Sequence, residues 1–347
     1  MTGRCDSVRR SPVNIPSTRG TAGFVATIRP MLSDVECILL EQVAQAPSPL
    51  NTMLRQAVVG GKRLRPTVIL LLGSLLSGGA ERLVQIAAAV ETLHVATLIH
   101  DDIMDGSPVR RGRETIHVRW SVRDGVLAGD YLLAASAERI ARLGDTALME
   151  VFARVLTIVC GGQMAETHPD SGTVRGLDAY RRDIEAKTAS MIAGGCEMSA
   201  MAAGAARDAV DKAREFGRRL GIAFQMTDDV LDLVGDEQQL GKPRGSDLRQ
   251  GLLTLPTLLY LEQGKPADTV ARVIEDAGER SKETIAAAIE MICASGAVDA
   301  AADEACRHAD AALAVLSGLG PKQPAETVAI LENALRDLVA YAVLRQR

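Results

Sequence analysis

The sequence predicts an all-α protein, a single-domain bundle of helices over residues 23–347 that follows a flexible tail at residues 1–22. Hydrophobic residues make up 47% of the 347 residues, and helix-favouring Ala and Leu are abundant. The tail is instead rich in Arg, Ser, Thr, Pro and Gly. Two apolar segments with helical periodicity each end in a pair of aspartates four residues apart. We therefore expect the bundle to bring two acidic helix ends together.

Proline and glycine mark the ends of the first helices. Pro47 and Pro49 should end the first helix, and Gly60-Gly61 should end the second. Pro66 stands where a first-turn proline opens a third helix. In this part of the chain we expect helices at about 24–45, at 50–59, from 66 onward and at 80–104.

Two glycine-rich stretches interrupt the helical pattern further along the chain. Residues 106–112 predict a loop, and residues 235–251 predict a mobile flap over a site. The last part of the chain, from about 256 to 347, predicts three or four amphipathic helices. Between these stretches we expect helices at about 119–143, 146–167 and 175–203, and one that ends in the second aspartate pair.

Asp101 and Asp105 form the first aspartate pair. Their spacing of four residues puts both carboxylates on one face of a helix, one turn apart. Two carboxylates so close repel each other unless a cation neutralises them, and hard oxygen ligands suit Mg²⁺. The alternative is a solvated acidic helix end. The mostly apolar residues 90–99 that precede the pair argue against this alternative.

Asp228 and Asp232 repeat the same spacing at the end of a second apolar run, residues 220–226. If the two pairs face each other across the bundle, they can hold metal ions against a substrate phosphate. We therefore predict that all four aspartates are metal ligands and that the cofactor is Mg²⁺.

Several cations stand close to these acidic motifs. Lys62 and Arg65 lie at the predicted start of the third helix, where free backbone N–H groups also attract anions. A solvated basic turn is the alternative. Arg110-Arg111 follows the first aspartate pair, and the planar fork of arginine suits phosphate. Lys187 precedes an apolar run, where a lysine is costly unless it meets an anion.

The order of these motifs resembles that of the trans-polyprenyl diphosphate synthases, from about residue 30 to the C-terminus. The resemblance implies the isoprenoid synthase fold, with helices around a deep apolar cavity. It also implies a prenyltransferase that condenses an allylic diphosphate head-to-tail with isopentenyl diphosphate, and a homodimer. The matching segments are Gly60-Gly61-Lys62-Arg63-Leu64-Arg65-Pro66, Arg110-Arg111-Gly112 after the first aspartate pair, Lys187-Thr188, Phe224-Gln225 before the second pair, Gly241-Lys242, and Thr254-Leu255-Pro256.

The resemblance assigns roles to individual residues. The catalytic set comprises the four aspartates with Arg110 and Lys187. A satisfied core histidine is the alternative reading of His94, which the resemblance places with isopentenyl diphosphate. The implied substrate-binding residues are Lys62, Arg65, His94, Arg110, Arg111, Lys187, Thr188, Gln225 and Lys242.

The chain departs from the family pattern at Leu252, where a lysine is usual. A non-catalytic subunit of a heteromeric synthase is therefore one alternative, although the otherwise complete set of motifs opposes it. A terpene cyclase is another, opposed by the repeated aspartate pair and by only nine aromatic residues. Ala96 and Thr97 are small where bulky rings stop growth in the family. We thus expect products of geranylgeranyl size or longer, with six to ten isoprene units favoured over a geranylgeranyl product.

Composition narrows the remaining classes of function. The net charge of −5 gives no general attraction for nucleic acid. The six scattered cysteines predict reduced thiols, and no apolar region typical of a secretory signal is found. No apolar run reaches the ~20 residues of a transmembrane helix. We expect a cytoplasmic protein with no transmembrane segment.

Overall fold

The structure is a computed structural model that describes residues 21–167, 176–235, 243–264, 269–275, 280–320 and 323–343. Almost all of the secondary structure in these ranges is helical, which confirms the all-α prediction. The first ten elements are α1 (Thr21–Gln45), α2 (Leu50–Val58), α3 (Leu64–Leu75), α4 (Ala80–Met104), β1 (Val109–Arg110), β2 (Arg113–Glu114), α5 (Ile116–Arg119), α6 (Val122–Ala141), α7 (Thr146–Thr167) and α8 (Leu177–Ile184). The others are a π-helical turn (Glu185–Ala189), α9 (Ser190–Ala202), α10 (Arg207–Val234), α11 (Ser246–Gln250), α12 (Leu255–Leu261), α13 (Thr269–Glu275), α14 (Lys282–Ala294), α15 (Ala297–Leu316) and α16 (Ala325–Val343).

The helices bury two apolar clusters. The larger cluster joins α1, α3, α4, α6, α7 and α9 with part of α10 and α16. Helix α3, whose sequence is nearly all apolar, is buried along most of its length at the centre of this cluster. The smaller cluster packs α8 and α10 against α11–α15. Helix α10, which has 28 residues, contributes side chains to both clusters and therefore connects them.

Several helix boundaries agree with the sequence, and others differ for local reasons. Helices α4 and α7 have the expected bounds. The helix expected at 175–203 is instead divided into α8, the π-helical turn and α9. The loop at 106–112 contains one strand of a two-residue hairpin, with Val109 opposite Glu114. The C-terminal part has more and shorter helices than expected, because Gly264 and Gly296 each adopt a positive φ that interrupts the helical path.

Two of the described helices, α4 and α7, are long and apolar enough to span a membrane by length and composition alone. The bent pair α14–α15 makes a third candidate if it is counted as one span. The sequence expectation that no segment has this character was therefore wrong. In α4 the apolar stretch is explained by packing, since 72% of it is buried inside the protein, whereas the figure for α7 is 28%.

Candidate active site

A large cavity of about 1530 Å³ lies between the ends of the central helices. Its wall is formed by the start of α3, by α4, by α7, by the π-helical turn and by α10. The segment before α12 covers one side. The deep apolar cavity implied by the family resemblance is therefore present. The predicted site residues that line it are Lys62, Arg65, His94, Asp101, Arg110, Arg111, Lys187, Thr188, Gln225 and Asp228.

The first aspartate pair lies at the end of α4, where Asp101 lines the cavity and Asp105, which is exposed, is not a lining residue. Burial raises the pKa of Asp101 to about 6, although Lys187 opposes the shift. The pKa of Asp105 is raised for the same reason, and Lys187 and Glu166 are the charges that act on it most. The Asp101 carboxylate is thus partly desolvated, which is costly unless a cation balances it, whereas Asp105 is the more exposed of the two.

The second motif divides between the cavity and the interior. Asp228 and Asp229 line the cavity, whereas Asp232 is 1% exposed and is not a lining residue. The Asp232 carboxylate accepts a hydrogen bond from the backbone N–H of Asp247 (3.1 Å), and its backbone carbonyl accepts one from Gly245 (2.8 Å). Asp232 therefore anchors the segment that leads into α11, and its assignment as a metal ligand stays a prediction.

Four predicted substrate-binding residues form a second group in the same cavity. They are Lys62, Arg65, His94 and Arg111. Burial, followed by the nearby Arg65 and Arg111 guanidinium groups, lowers the pKa of His94 well below its usual range. His94 is therefore neutral at neutral pH and offers one donor and one acceptor. Burial also lowers the pKa of Arg65, against the attraction of Glu91 and Asp228.

Arg63 has a different role from its neighbours in the same motif. Its guanidinium is buried and forms ion pairs with Glu36 and Glu91, and it also donates to the carbonyl of Val58. The Arg63 backbone lies in the left-handed region, with φ 48°. These contacts fold the start of α3 so that the side chains on either side of Arg63, Lys62 and Arg65, reach the cavity.

The π-helical turn places Lys187 and Thr188 on the cavity wall. The Lys187 ammonium donates to Glu166 on α7 (2.7 Å), and the Thr188 hydroxyl donates to the Gln225 side-chain carbonyl (2.8 Å). Burial alone would lower the pKa of Lys187, but the carboxylates of Asp101 and Glu166 outweigh burial and raise this pKa. Such π-helical turns are frequent at functional sites, because the extra residue redirects side chains.

Gly162 explains why α7 can approach this turn. A Cβ at this position would lie 2.6 Å from the Cβ of Ala186, so only glycine fits without movement. Gly161, the other glycine of the pair, faces open space. The two glycines were interpreted as sites of close approach by a neighbour or a ligand, and at Gly162 the neighbour is the π-helical turn.

Four residues of the site were missed as functional candidates by sequence reasoning. Asp102 accepts from the Nε of Arg110 (2.6 Å), and Asp229 accepts from Tyr180 on α8 (2.6 Å). Glu91, the fourth, pairs with Arg63. The Asp-Asp dipeptide that opens each motif was a usable signal for the two aspartates. Tyr180 has no such signal, since its partner is 49 residues away.

Lys242 lies outside the described residues. Leu252 lines the cavity with 38% of its surface exposed, in the place where the family usually has a lysine.

The carboxylates suit a divalent cation that shares its coordination with the substrate. Within the described ranges, no group of three His, Cys, Asp or Glu side chains is close enough to hold a metal ion alone. The donors available are the oxygens of Asp101, Asp105 and Asp228. Magnesium ordinarily takes one or two carboxylates, several waters and substrate phosphate oxygens, so this donor set fits it.

Comparison with known proteins identifies the family. The polyprenyl synthetase family model matches residues 47–292. Heptaprenyl diphosphate synthase component 2 of Geobacillus stearothermophilus is 38% identical over 311 residues, which cover 89% of this chain and 94% of that protein. Nonaprenyl diphosphate synthase of Mycobacterium tuberculosis is 32% identical over 331 residues, with 94% of this chain and 96% of that protein covered.

Solved structures agree with this result. A polyprenyl synthase from Caulobacter crescentus, complexed with calcium and isoprenyl diphosphate, superposes with a TM-score of 0.86 at 32% identity, and the match covers 94% of this chain and 98% of that one. A decaprenyl diphosphate synthase from Rhodobacter capsulatus gives 0.81 at 30% identity, with 93% and 98% covered. Together with the motifs that line the cavity, these matches show that the chain belongs to the polyprenyl synthetase family.

Proposed function

We propose that this protein is a trans-polyprenyl diphosphate synthase that adds isopentenyl diphosphate to an allylic diphosphate. One observation carries the proposal: carboxylates from two helix ends and two groups of cations line the same deep cavity. Asp101 and Asp228 are among the carboxylates, and Lys187 and Arg65 are among the cations. A substrate that brings both a diphosphate and an apolar chain matches both parts of this cavity.

The two groups of lining residues have distinct tasks in this reaction. Asp101, Asp105 and Asp228 would hold Mg²⁺, which when bound supplies positive charge to the leaving diphosphate. Arg110 and Lys187 donate hydrogen bonds to the diphosphate oxygens as the allylic carbon–oxygen bond breaks and its electron pair leaves with oxygen.

The second group of cations holds the second substrate. Lys62, Arg65, Arg111 and neutral His94 orient isopentenyl diphosphate so that its double bond attacks the allylic cation and forms the new carbon–carbon bond. A proton then leaves the adjacent carbon, and the departing diphosphate accepts it. No residue of this second group has to change its protonation state during the reaction.

The proposed product has six to ten isoprene units. Thr97, one turn below Asp101, lines the cavity and is small, so it leaves room for a growing chain. Relatives named as heptaprenyl and nonaprenyl diphosphate synthases support this length. Relatives named as geranylgeranyl diphosphate synthases also match, so a four-unit product is the second candidate.

We propose that two copies of the chain form the active enzyme. Large apolar side chains are exposed on α6 and α7, as expected of an interface. The name of the Geobacillus relative, component 2, implies a second component in that protein, so a heteromeric enzyme is the alternative. The exposed large apolar residues on these two helices that do not line the cavity are Val122, Leu127 and Ile158.

The test is an assay of the purified chain alone with Mg²⁺, labelled isopentenyl diphosphate and farnesyl diphosphate. Asp228→Ala should lower kcat by several powers of ten, since metal stabilisation is worth several kcal/mol. Asp208→Ala is the matched control, because Asp208 lies on the same helix and is exposed to solvent. Near-normal turnover in Asp228→Ala would refute the mechanism. Activity only after addition of a second component would refute the homodimer.

A further inference from the structure

The segment before α12 and the end of α13 form a neutral side of the cavity. Within the described ranges, the cations that line the cavity come from the start of α3, from the loop after α4 and from the π-helical turn. None of them comes from the neutral side, where Leu252 replaces the usual lysine. The lining residues of these two segments are Gly251, Leu252, Leu253, Thr254 and Ile274.

The guanidinium of Arg280 packs against Gly251 on this side. Arg280 stands between α13 and α14 and is half-buried. A Cβ at Gly251 would lie 2.8 Å from Cζ and 2.9 Å from Nη1 of Arg280, so the guanidinium occupies the space that a side chain would need. Gly251 lines the cavity and directly precedes Leu252. A positive charge therefore lies one residue from the position of the missing lysine.

Two hydrogen bonds fix the guanidinium at the edge of the cavity. Nε of Arg280 donates to the carbonyl of Val273 (2.9 Å), and Nη2 donates to the carbonyl of Ile274 (3.2 Å). Both carbonyls belong to the last turn of α13, where basic side chains commonly satisfy free carbonyls. Ile274 itself lines the cavity. Arg280 thus contacts the neutral side at two lining residues, Gly251 and Ile274.

These contacts leave the charge of Arg280 without a counter-ion. The two bonds use two of the five N–H donors of an arginine. Among the described residues, Nη1 makes no hydrogen bond, and no carboxylate forms an ion pair with this guanidinium. A partly buried cation without a partner is costly, and a planar fork with free donors suits a phosphate group. A role as helix cap explains the two bonds, but it does not require an unpaired charge beside the cavity.

We propose that Arg280 binds the diphosphate of the allylic substrate and supplies the positive charge that Leu252 lacks. This inference rests on the proposed function and adds a residue to its diphosphate site. A cation here stabilises the charge that develops on the leaving diphosphate. Arg249 is the alternative source of charge, since its Nε is buried without a hydrogen-bond partner among the described residues. Arg280 is favoured because its guanidinium is the group nearest to the absent side chain of Gly251.

The first arm of the test is steady-state kinetics of Arg280→Gln, which keeps an N–H donor for the α13 carbonyls and removes the charge. We expect kcat/KM for farnesyl diphosphate to fall about fivefold, while KM for isopentenyl diphosphate changes less than about twofold. Arg280→Lys should retain most of the activity. Arg272→Gln is the matched control, because Arg272 is an exposed arginine of α13 that does not line the cavity.

A double-mutant cycle separates the charge of Arg280 from its role as helix cap. Leu252→Lys should raise kcat/KM for farnesyl diphosphate at least about threefold more in Arg280→Gln than in the wild type, because the two cations act on the same diphosphate. A lost cap would lower activity without changing the gain from the new lysine. Equal gains in the two backgrounds would therefore overturn the proposal. So would a larger gain in Arg249→Gln and none in Arg280→Gln.

The last arm is calorimetry, which does not depend on turnover. The probe is a farnesyl diphosphate analogue with sulfur in place of the bridging oxygen, added with Mg²⁺. Arg280→Gln should weaken its binding about fivefold, and Arg280→Lys and Arg272→Gln should each change it less than about twofold. Unchanged binding in Arg280→Gln would overturn the role of Arg280 alone. A wild-type chain that neither turns over nor binds the analogue would refute the proposed function as well.

Discussion

Replacing Asp101 by asparagine should make the metal-free protein more stable at alkaline pH while abolishing its activity. Asp101 lies at the end of α4, where burial raises the pKa of its carboxyl to about 6 from an ordinary value of 3.8. Asparagine has nearly the same shape and no charge. The substitution therefore removes the cost of holding a partly buried carboxylate.

The pKa shift sets the size and the pH dependence of this effect. A carboxyl whose pKa is raised by folding contributes its full stability below about pH 4 and loses it as the pH rises through 6. Because the pKa of Asp101 is raised by about two, ionisation of this carboxyl lowers the free energy of unfolding by about 3 kcal/mol at high pH. About half of this loss is already present at pH 5. Asp101→Asn should thus raise the free energy of unfolding by about 3 kcal/mol at pH 8 and by about half as much at pH 5.

Urea unfolding at the two pH values measures this difference directly. Asp303→Asn is the control, because Asp303 is an exposed aspartate on α15 and should give a change below about 0.5 kcal/mol. Adding Mg²⁺ with inorganic diphosphate should stabilise the wild type, more at pH 8 than at pH 6, since the carboxylates must lose their protons to bind metal. A variant no more stable than the wild type at pH 8, or one equally stabilised at both pH values, would refute the reasoning.

Three further predictions concern the cavity wall. Leu252→Lys should raise kcat/KM for the allylic substrate about tenfold, because it adds a cation where charge develops on the leaving group; an unchanged or lower value contradicts this. Thr97→Phe should shorten the products in mass analysis, whereas Ala96→Phe, which is buried and off the cavity, should mainly lower stability by about 1–3 kcal/mol. Lys187→Met should lower kcat more than 100-fold in steady-state assays and leave Glu166 without its cation; a smaller loss excludes Lys187 from the transition state.

The parts of the site that depend on local spacing were predictable from sequence. Asp101 and Asp228 reach the cavity because each closes an apolar helix that points its end inward. Asp232 shows the limit of that reasoning. The helix ends two residues later at Val234, and the chain returns so that Gly245 and Asp247 pack against Asp232. Helical spacing places a carboxylate on a face, but it does not show which segment will cover that face.

The remaining features depend on contacts between distant segments. The π-helical turn at Glu185–Ala189 packs between α7 and α10. The helical periodicity of residues 175–203 gives no indication of this turn. The partnership of Tyr180 with Asp229 depends on the packing of α8 against α10 in the smaller apolar cluster. The Ala96 position was expected to border the tunnel, yet only its neighbour Thr97 lines the cavity, because adjacent residues of a helix point about 100° apart.

The ion pairs at the cavity orient Lys187 and Arg110 and still leave some of their N–H donors available for a substrate. Lysine has three donors, so the bond from Lys187 to Glu166 leaves two for a diphosphate. Arginine has five, and among the described residues Arg110 donates only from its Nε to Asp102, which leaves the terminal fork for two phosphate oxygens. Glu166 and Asp102 therefore act as fixed supports that aim each cation. Because the aim is set before the substrate binds, little reorganisation remains when charge moves onto the leaving diphosphate.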